Sequence, residues 1–175
     1  GDTLMPTVFA LWAAPNVVPT FQLKHAQVSL YIVGGADLMR PGVRAPPGGF
    51  PTEGDGSFRQ GEVYSVTVKG NPSPLAVGTT LMDSKKASEG KGKLLQLVHT
   101  YTDNLWAFET GKPVPNEGYL TNGVVPLGGS MNHPMEDDSE SDENESEEDS
   151  EEEEAGASNT ERGHTEAASS PKENE

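Results

Sequence analysis

Seven basic residues in two short stretches offer the plainest chemistry in this sequence. Lys24, Arg40 and Arg44 bracket the segment IVGGADLMRPGV (Ile32–Val43), and Lys85, Lys86, Lys91 and Lys93 surround a glycine-flanked loop. Cations beside glycines suit phosphate contact, because glycine lets a phosphate reach backbone N–H groups that a Cβ would shield. Gly34, Gly35 and Ala36 in the first stretch and Gly92 in the second stand where such an approach would occur. The same pattern also fits an ordinary solvated loop.

Charge distribution keeps both readings open. Residues 1–135 hold ten acids and ten bases, so that part is formally neutral and lacks the sequence-independent attraction of a strongly basic domain. Residues 136–175 hold 18 acids and two bases and account for the whole net charge of −16.

Other chemistries find less support. His25, His99, His133 and His164 are scattered and form no ligand-spaced set. His99 and Asp103 are four apart and would meet on a helix, but His99 falls in a strand pattern, so a packing or surface role is expected. With no cysteine, disulfides and thiolate metal sites are excluded. GNPSPLAVG lacks the lysine and spacing of a phosphate loop, and no nucleophile-elbow pattern occurs. A non-catalytic protein without metal or cofactor is expected.

The elements that must carry the cations are short. MPTVFALW reads as a strand opening at Pro6, TFQLK as a second, and AQVSLYIV as a two-turn helix stopped by Gly34 and Gly35. ADLMR is extended because Pro41 disfavours helix at Arg40, and Pro41-Gly42 suits the centre of a type II turn. GEVYSVTV alternates, with Tyr64, Val66 and Val68 on one face; PLAVGTTLM and KLLQLVHTY are further strands. DSKKASEG between them forms a short helix capped by Asp83 or Ser84 and stopped at Gly90. In HTYTDNLW, Asp103 caps one helical turn that returns Leu105 and Trp106 to the barrel mouth. Many short strands with turn chemistry between them predict a mostly-β small barrel with one or two short helices.

The acidic segment EDDSESDENESEEDSEEEE and its continuation have almost nothing apolar to offset ordering entropy, so a disordered tail is expected. It reads as a solvated linker, with an arm for basic partners as the alternative. Ser139, Ser146 and Ser150 each have an acid three residues on, which suits acidophilic kinases. No apolar run approaches the roughly 20 residues of a membrane span, and the start lacks a signal-peptide pattern. A soluble cytoplasmic protein is expected, and the absence of an initial Met suggests a fragment.

VGGADLMRPGV, GNPSPLAVG and LVHTYTDNLW, in this order and spacing, resemble the PUA domain, a small pseudo-barrel named for pseudouridine synthases and archaeosine transglycosylases. With MPTVFALWAAPNVVPTF in front, the resemblance narrows to the translation initiation factor 2D (ligatin) family, with VPNEGYL nearest to plant-type members. The resemblance implies the end of a truncated preceding domain at 1–19, a PUA domain at 20–110, an irregular extension at 111–135 and a disordered acidic linker at 136–175. Members bind the small ribosomal subunit, deliver tRNA to the P site without GTP, and act in initiation, reinitiation and recycling. The implied function is therefore an RNA-binding module in translation preinitiation, with ribosomal RNA and tRNA as partners and neither membrane nor DNA. By position the family's RNA surface maps to the end of the helix, the Gly34-Gly35-Ala36-Asp37 turn, the strand through Arg40 and the nearby basic loop. Together with the charge grouping this makes Lys24, Gly34, Gly35, Ala36, Arg40, Arg44, Lys85, Lys86, Lys91 and Lys93 the candidate RNA contacts. Arg40, where relatives often carry an apolar or small residue, is assigned by its chemistry, and Asp37 is expected to hold the turn. The alternatives are the specificity domain of an RNA-modifying enzyme and a protein-interaction module acting through the acidic tail.

Overall fold

The computed structural model describes residues 4–130. The acidic tail expected to be disordered, with its candidate phosphorylation serines, lies outside the described residues.

Five strands form one curled sheet: β1 (Thr20–Leu23), β2 (Leu38–Met39), β3 (Val63–Val68), β4 (Asn71–Thr80) and β5 (Lys93–Thr100), in the order β1-β3-β4-β5-β2. β1 runs parallel to β3 and the other pairings are antiparallel. The sheet curls until β1 meets residues 42–44: Leu23 bridges Val43, Lys24 N donates to Gly42 O at 2.9 Å, and Arg44 N donates to Gln22 O at 2.9 Å. This makes the mostly-β half-barrel that the strand pattern predicts.

The alternation in β3 places Tyr64, Val66 and Val68 in the core, as expected. Leu23, Leu75, Leu94 and Leu95 join them without solvent exposure. Phe21 stacks on Tyr64 at 4.3 Å between ring centroids and meets Phe50 and Phe58 edge-on, which closes one end of the barrel with aromatic surface. Between β4 and β5 the register shifts: Val77 faces His99 and Gly78 faces Leu97, so Val98 bulges out of the ladder. Gly78 is required there, since a Cβ would lie only 2.1 Å from Gln96 O.

The first element is a helix and not the expected strand. In α1 (Val8–Ala13), Thr7 caps the start by accepting from Ala10 N at 3.2 Å, and Val8 and Leu11 are fully buried against the sheet. Trp12, on the same side of the helix, donates Nε1–H to Pro74 O at 2.9 Å. The β-branched and aromatic content suggests a strand, but the i, i+3, i+4 placement of Val8, Leu11 and Trp12 fits a helical face, and burial of that face outweighs propensity.

α2 (Val28–Val33) forms as expected and ends in a Schellman motif. Ala36 N donates to Tyr31 O at 2.9 Å and Gly35 N to Ile32 O at 3.0 Å, with Gly35 in the left-handed region at φ +86°. Pro41-Gly42 does not make the expected type II turn: Arg40–Gly42 is a 3₁₀ turn, and Gly42 is absent from the positive-φ glycines. Glycine serves there for proximity, because a Cβ would sit 3.1 Å from Val28 Cγ1.

The stretch expected to be an irregular extension carries a hairpin, β6 (Tyr119–Leu120) with β7 (Gly123–Val124). An asparagine clamp holds it to the barrel: Asn71 Nδ2 donates to Val125 O at 3.0 Å and to Asn116 Oδ1 at 3.1 Å, while Asn116 Nδ2 donates to Asn71 Oδ1 at 3.0 Å. Ser29 of α2 accepts from Val124 N at 2.9 Å, and Val124 and Val125 are fully buried.

Candidate nucleic-acid interface

Both basic stretches converge on one end of the half-barrel, and Arg40 stands between them. Its backbone N donates to Gly92 O at 2.8 Å, and Met39 pairs with Lys93, so the Lys91–Lys93 loop lies directly beside it. Arg40 Nε donates to Ala87 O at 2.6 Å at the end of α3 (Ser84–Ala87), the helix that carries Lys85 and Lys86. Nη1 reaches Val43 O at 3.3 Å, and the guanidinium lies 4.7 Å from the Phe50 ring centroid. Partial burial lowers its pKa from the ordinary value, but an arginine remains charged. Arg40 is thus a tie between four segments, with much of its donor fork already engaged.

The helix that presents Lys85 and Lys86 follows its sequence signals. Asp83 Oδ1 accepts from Lys86 N at 2.8 Å as the N-cap, and Gly90 ends the turn at φ +77°. Gly92, at φ +95°, lets the loop pass close to Met82 Cε. Lys24, Arg44, Lys85, Lys86 and Lys91 are all exposed. Lys93 is also exposed, but its Nζ lies 3.1 Å from Asp37 Oδ2. Asp37 holds its turn as expected, yet through a distant partner: Oδ1 accepts from Leu97 N at 3.2 Å and pins the turn to β5.

Gly34, Gly35 and Ala36 sit exposed at the rim, and a Cβ at Gly35 would meet nothing within 4 Å. The space beside the turn is open, as backbone contact requires. Sequence reasoning missed the apolar groups in the elements around this turn: Tyr31 is 68% exposed and Val98 60%. Val98 owes its outward position to the bulge, which long-range pairing creates and no local pattern announces.

The pair His99 and Asp103, set aside because His99 is in a strand, is joined at 2.6 Å between Nδ1 and Oδ2. Thr102, at φ +74°, turns the chain back so that Asp103 also accepts from Thr100 N at 2.8 Å. The same carboxylate caps α4 (Asn104–Phe108) by accepting from Trp106 N at 2.9 Å. Burial alone would raise the Asp103 pKa, but the hydrogen bonds from Trp106 N, His99 and Thr100 N outweigh it and hold the carboxyl below its ordinary value. α4 returns Trp106 against Tyr101 at 5.0 Å as expected, whereas Leu105 is half exposed instead of packed. No group of three or more His, Asp or Glu suited to a metal occurs among the described residues.

Residues 18–104 match the family model described as eIF2D, PUA domain. These residues form a PUA domain of the eIF2D type. Mouse eukaryotic translation initiation factor 2D is 43% identical over 105 residues, which are 59% of this chain and 17% of that protein. The chain therefore spans about one sixth of the length of that relative. Translation machinery-associated protein 20 of Saccharomyces cerevisiae is 25% identical over 108 residues, covering 61% of this chain and 58% of its own. Among solved structures, a PUA domain protein from Thermoplasma acidophilum is 26% identical with a TM-score of 0.49, covering 62% of this chain and 67% of that one. Within the PUA domain, all ten predicted RNA-facing residues lie in the match, with Arg40 joining the two basic stretches. Among the described residues, no helix is long and apolar enough to cross a membrane.

Proposed function

We propose that this chain is the non-catalytic RNA-binding part of a cytoplasmic translation initiation factor, and that its PUA domain contacts the small ribosomal subunit and tRNA through phosphates and shape. The observation that carries this reading is the gathering of Lys24, Arg44, Lys85, Lys86, Lys91 and Lys93 around Arg40 in an eIF2D-type domain. Residues 1–135 are formally neutral, so attraction depends on this local grouping and not on a general positive field. Arg40 holds the rim, the exposed lysines and Arg44 meet phosphates, and the open glycine turn admits the backbone. In the intact factor this contact would support GTP-independent placement of tRNA in the P site during initiation, reinitiation and recycling.

The test is binding of the full chain to purified small subunits and to tRNA across a salt series. Affinity should fall with salt, and replacing Lys91 and Lys93 with alanine should flatten the log–log slope by about one to two units. Absence of salt-dependent binding to either partner would sink the proposal, and an unchanged slope would remove that loop from the interface.

A further inference from the structure

The outer face of β1 carries a row of polar side chains that the basic rim does not explain. Gln22 stands opposite Arg44 across the barrel seam, because Leu23 bridges Val43 and Arg44 N donates to Gln22 O. On its other side Gln22 pairs in parallel register with Thr67 of β3. Residues paired directly across neighbouring strands project to the same face. Cation, amide and hydroxyl therefore follow one another in a single row, opposite in direction to the buried Leu23 and Val43.

Two grooves open along this row and share Thr20 and Gln22. One, of about 570 Å³, runs over Thr67 between Asn16 and Pro72; the other, of about 280 Å³, lies between Arg44 and the Pro46-Pro47 wall. The polar groups differ in how they are used. Thr20 Oγ1 and Ser65 Oγ are 2.7 Å apart and satisfy each other. Thr67 is only 8% exposed and lines the larger groove, and its hydroxyl is not among the buried side-chain polar atoms left without a partner, so its remaining exposed surface opens onto the groove. The Gln22 amide is unengaged among the described residues and borders both grooves.

One cation followed by a bidentate amide and a hydroxyl, at strand spacing, matches a phosphate followed by a hydroxylated sugar. Building on the proposed RNA-binding function, we propose that this row holds one nucleotide of an unpaired RNA strand, with its phosphate on Arg44 and its 2′-hydroxyl read by Gln22 and Thr67. The row then selects ribose over deoxyribose, a discrimination that the phosphate-contacting lysines do not supply.

The experiment measures binding of the full chain to oligouridylate and to oligodeoxyuridylate of equal length. The unmodified chain should prefer the RNA. Gln22→Ala and Thr67→Val should each weaken RNA binding by about three- to tenfold, the range expected for one lost hydrogen bond, and leave DNA binding unchanged. Thr67→Ser should restore the preference. Arg44→Ala should weaken both oligomers alike and reduce the salt slope by about one unit. Thr67→Val preserves side-chain shape, and its thermal transition should match that of the unmodified chain. If RNA is bound but Gln22→Ala and Thr67→Val leave the RNA-to-DNA ratio unmoved, this inference falls while the RNA-binding function stands. If the unmodified chain binds no RNA, both fall.

Discussion

The hairpin side of the half-barrel and the Arg40 rim use polar side chains in opposite ways. At the hairpin, Asn71, Asn116 and Ser29 are turned inward and matched to partners, so their hydrogen bonds join β6–β7 to the barrel. At the rim, one arginine makes the internal bonds and most of the other cations stand in solvent. Inward polar groups must be satisfied within the fold, because an unpaired buried group is penalised. Outward cations lose little when unpaired and remain available to a ligand. The contrast separates groups that define the shape from groups that use it.

The sharpest way to break the contrast is at the clamp. Asn71→Ala leaves Val125 O and the Asn116 amide without their partner, and should destabilise the chain by about 2–4 kcal/mol, read as a lower denaturant midpoint at constant slope. Next comes Arg40→Lys, which keeps the charge but loses the fork and the flat face that meet Ala87 O, Val43 O and Phe50. It should cost about 1–3 kcal/mol and also weaken RNA binding, since the two basic stretches lose their common tie. If Arg40→Lys leaves stability intact and lowers only affinity, Arg40 belongs with the outward group.

Asp103→Asn removes a charged cap and the His99 partner, for an expected loss of about 1–2 kcal/mol at neutral pH. Because the folded carboxyl has a lowered pKa, its stabilisation is fully present above the ordinary value of 3.8 and fades as the pH falls through the folded value. The difference between Asp103→Asn and the unmodified chain should therefore shrink on acidification below that point; a difference that persists would assign the effect to something other than the charge. Smallest in stability is Lys85→Ala with Lys86→Ala, expected within about 0.5 kcal/mol, yet these changes should reduce the salt slope of RNA binding by about one unit each.

Local chemistry made parts of this molecule readable from the chain. The Gly34-Gly35 stop announces the Schellman end of α2, and Asp83 announces the cap of α3. α1 misled because Val8, Phe9 and Trp12 favour a strand by type, while the decisive burial of Val8 and Leu11 is tertiary. His99 and Asp103 meet through a left-handed Thr102, a conformation a β-branched residue seldom adopts. The basic stretches were visible as composition, but not Arg40 as their tie, since Ala87 lies 47 residues away. The row from Arg44 through Gln22 to Thr67 depends on the register of β1 with β3 and on an isolated bridge to Val43, pairings between segments apart in sequence that no local pattern encodes.

The parallel pairing of β1 with β3 has a kinetic consequence. Some forty residues, Lys24 to Glu62, must make a complete excursion before Gln22 can find Thr67, and within that excursion residues 42–44 must return to the other edge of β1. Both contacts incur loop-closure entropy before they add stability, so the seam is expected to close late in folding. Arg44 takes its place beside Gln22 with that last closure. A chain caught short of it keeps the ties of Arg40 to Gly92 and Ala87 and still lacks the row from Arg44 through Gln22 to Thr67.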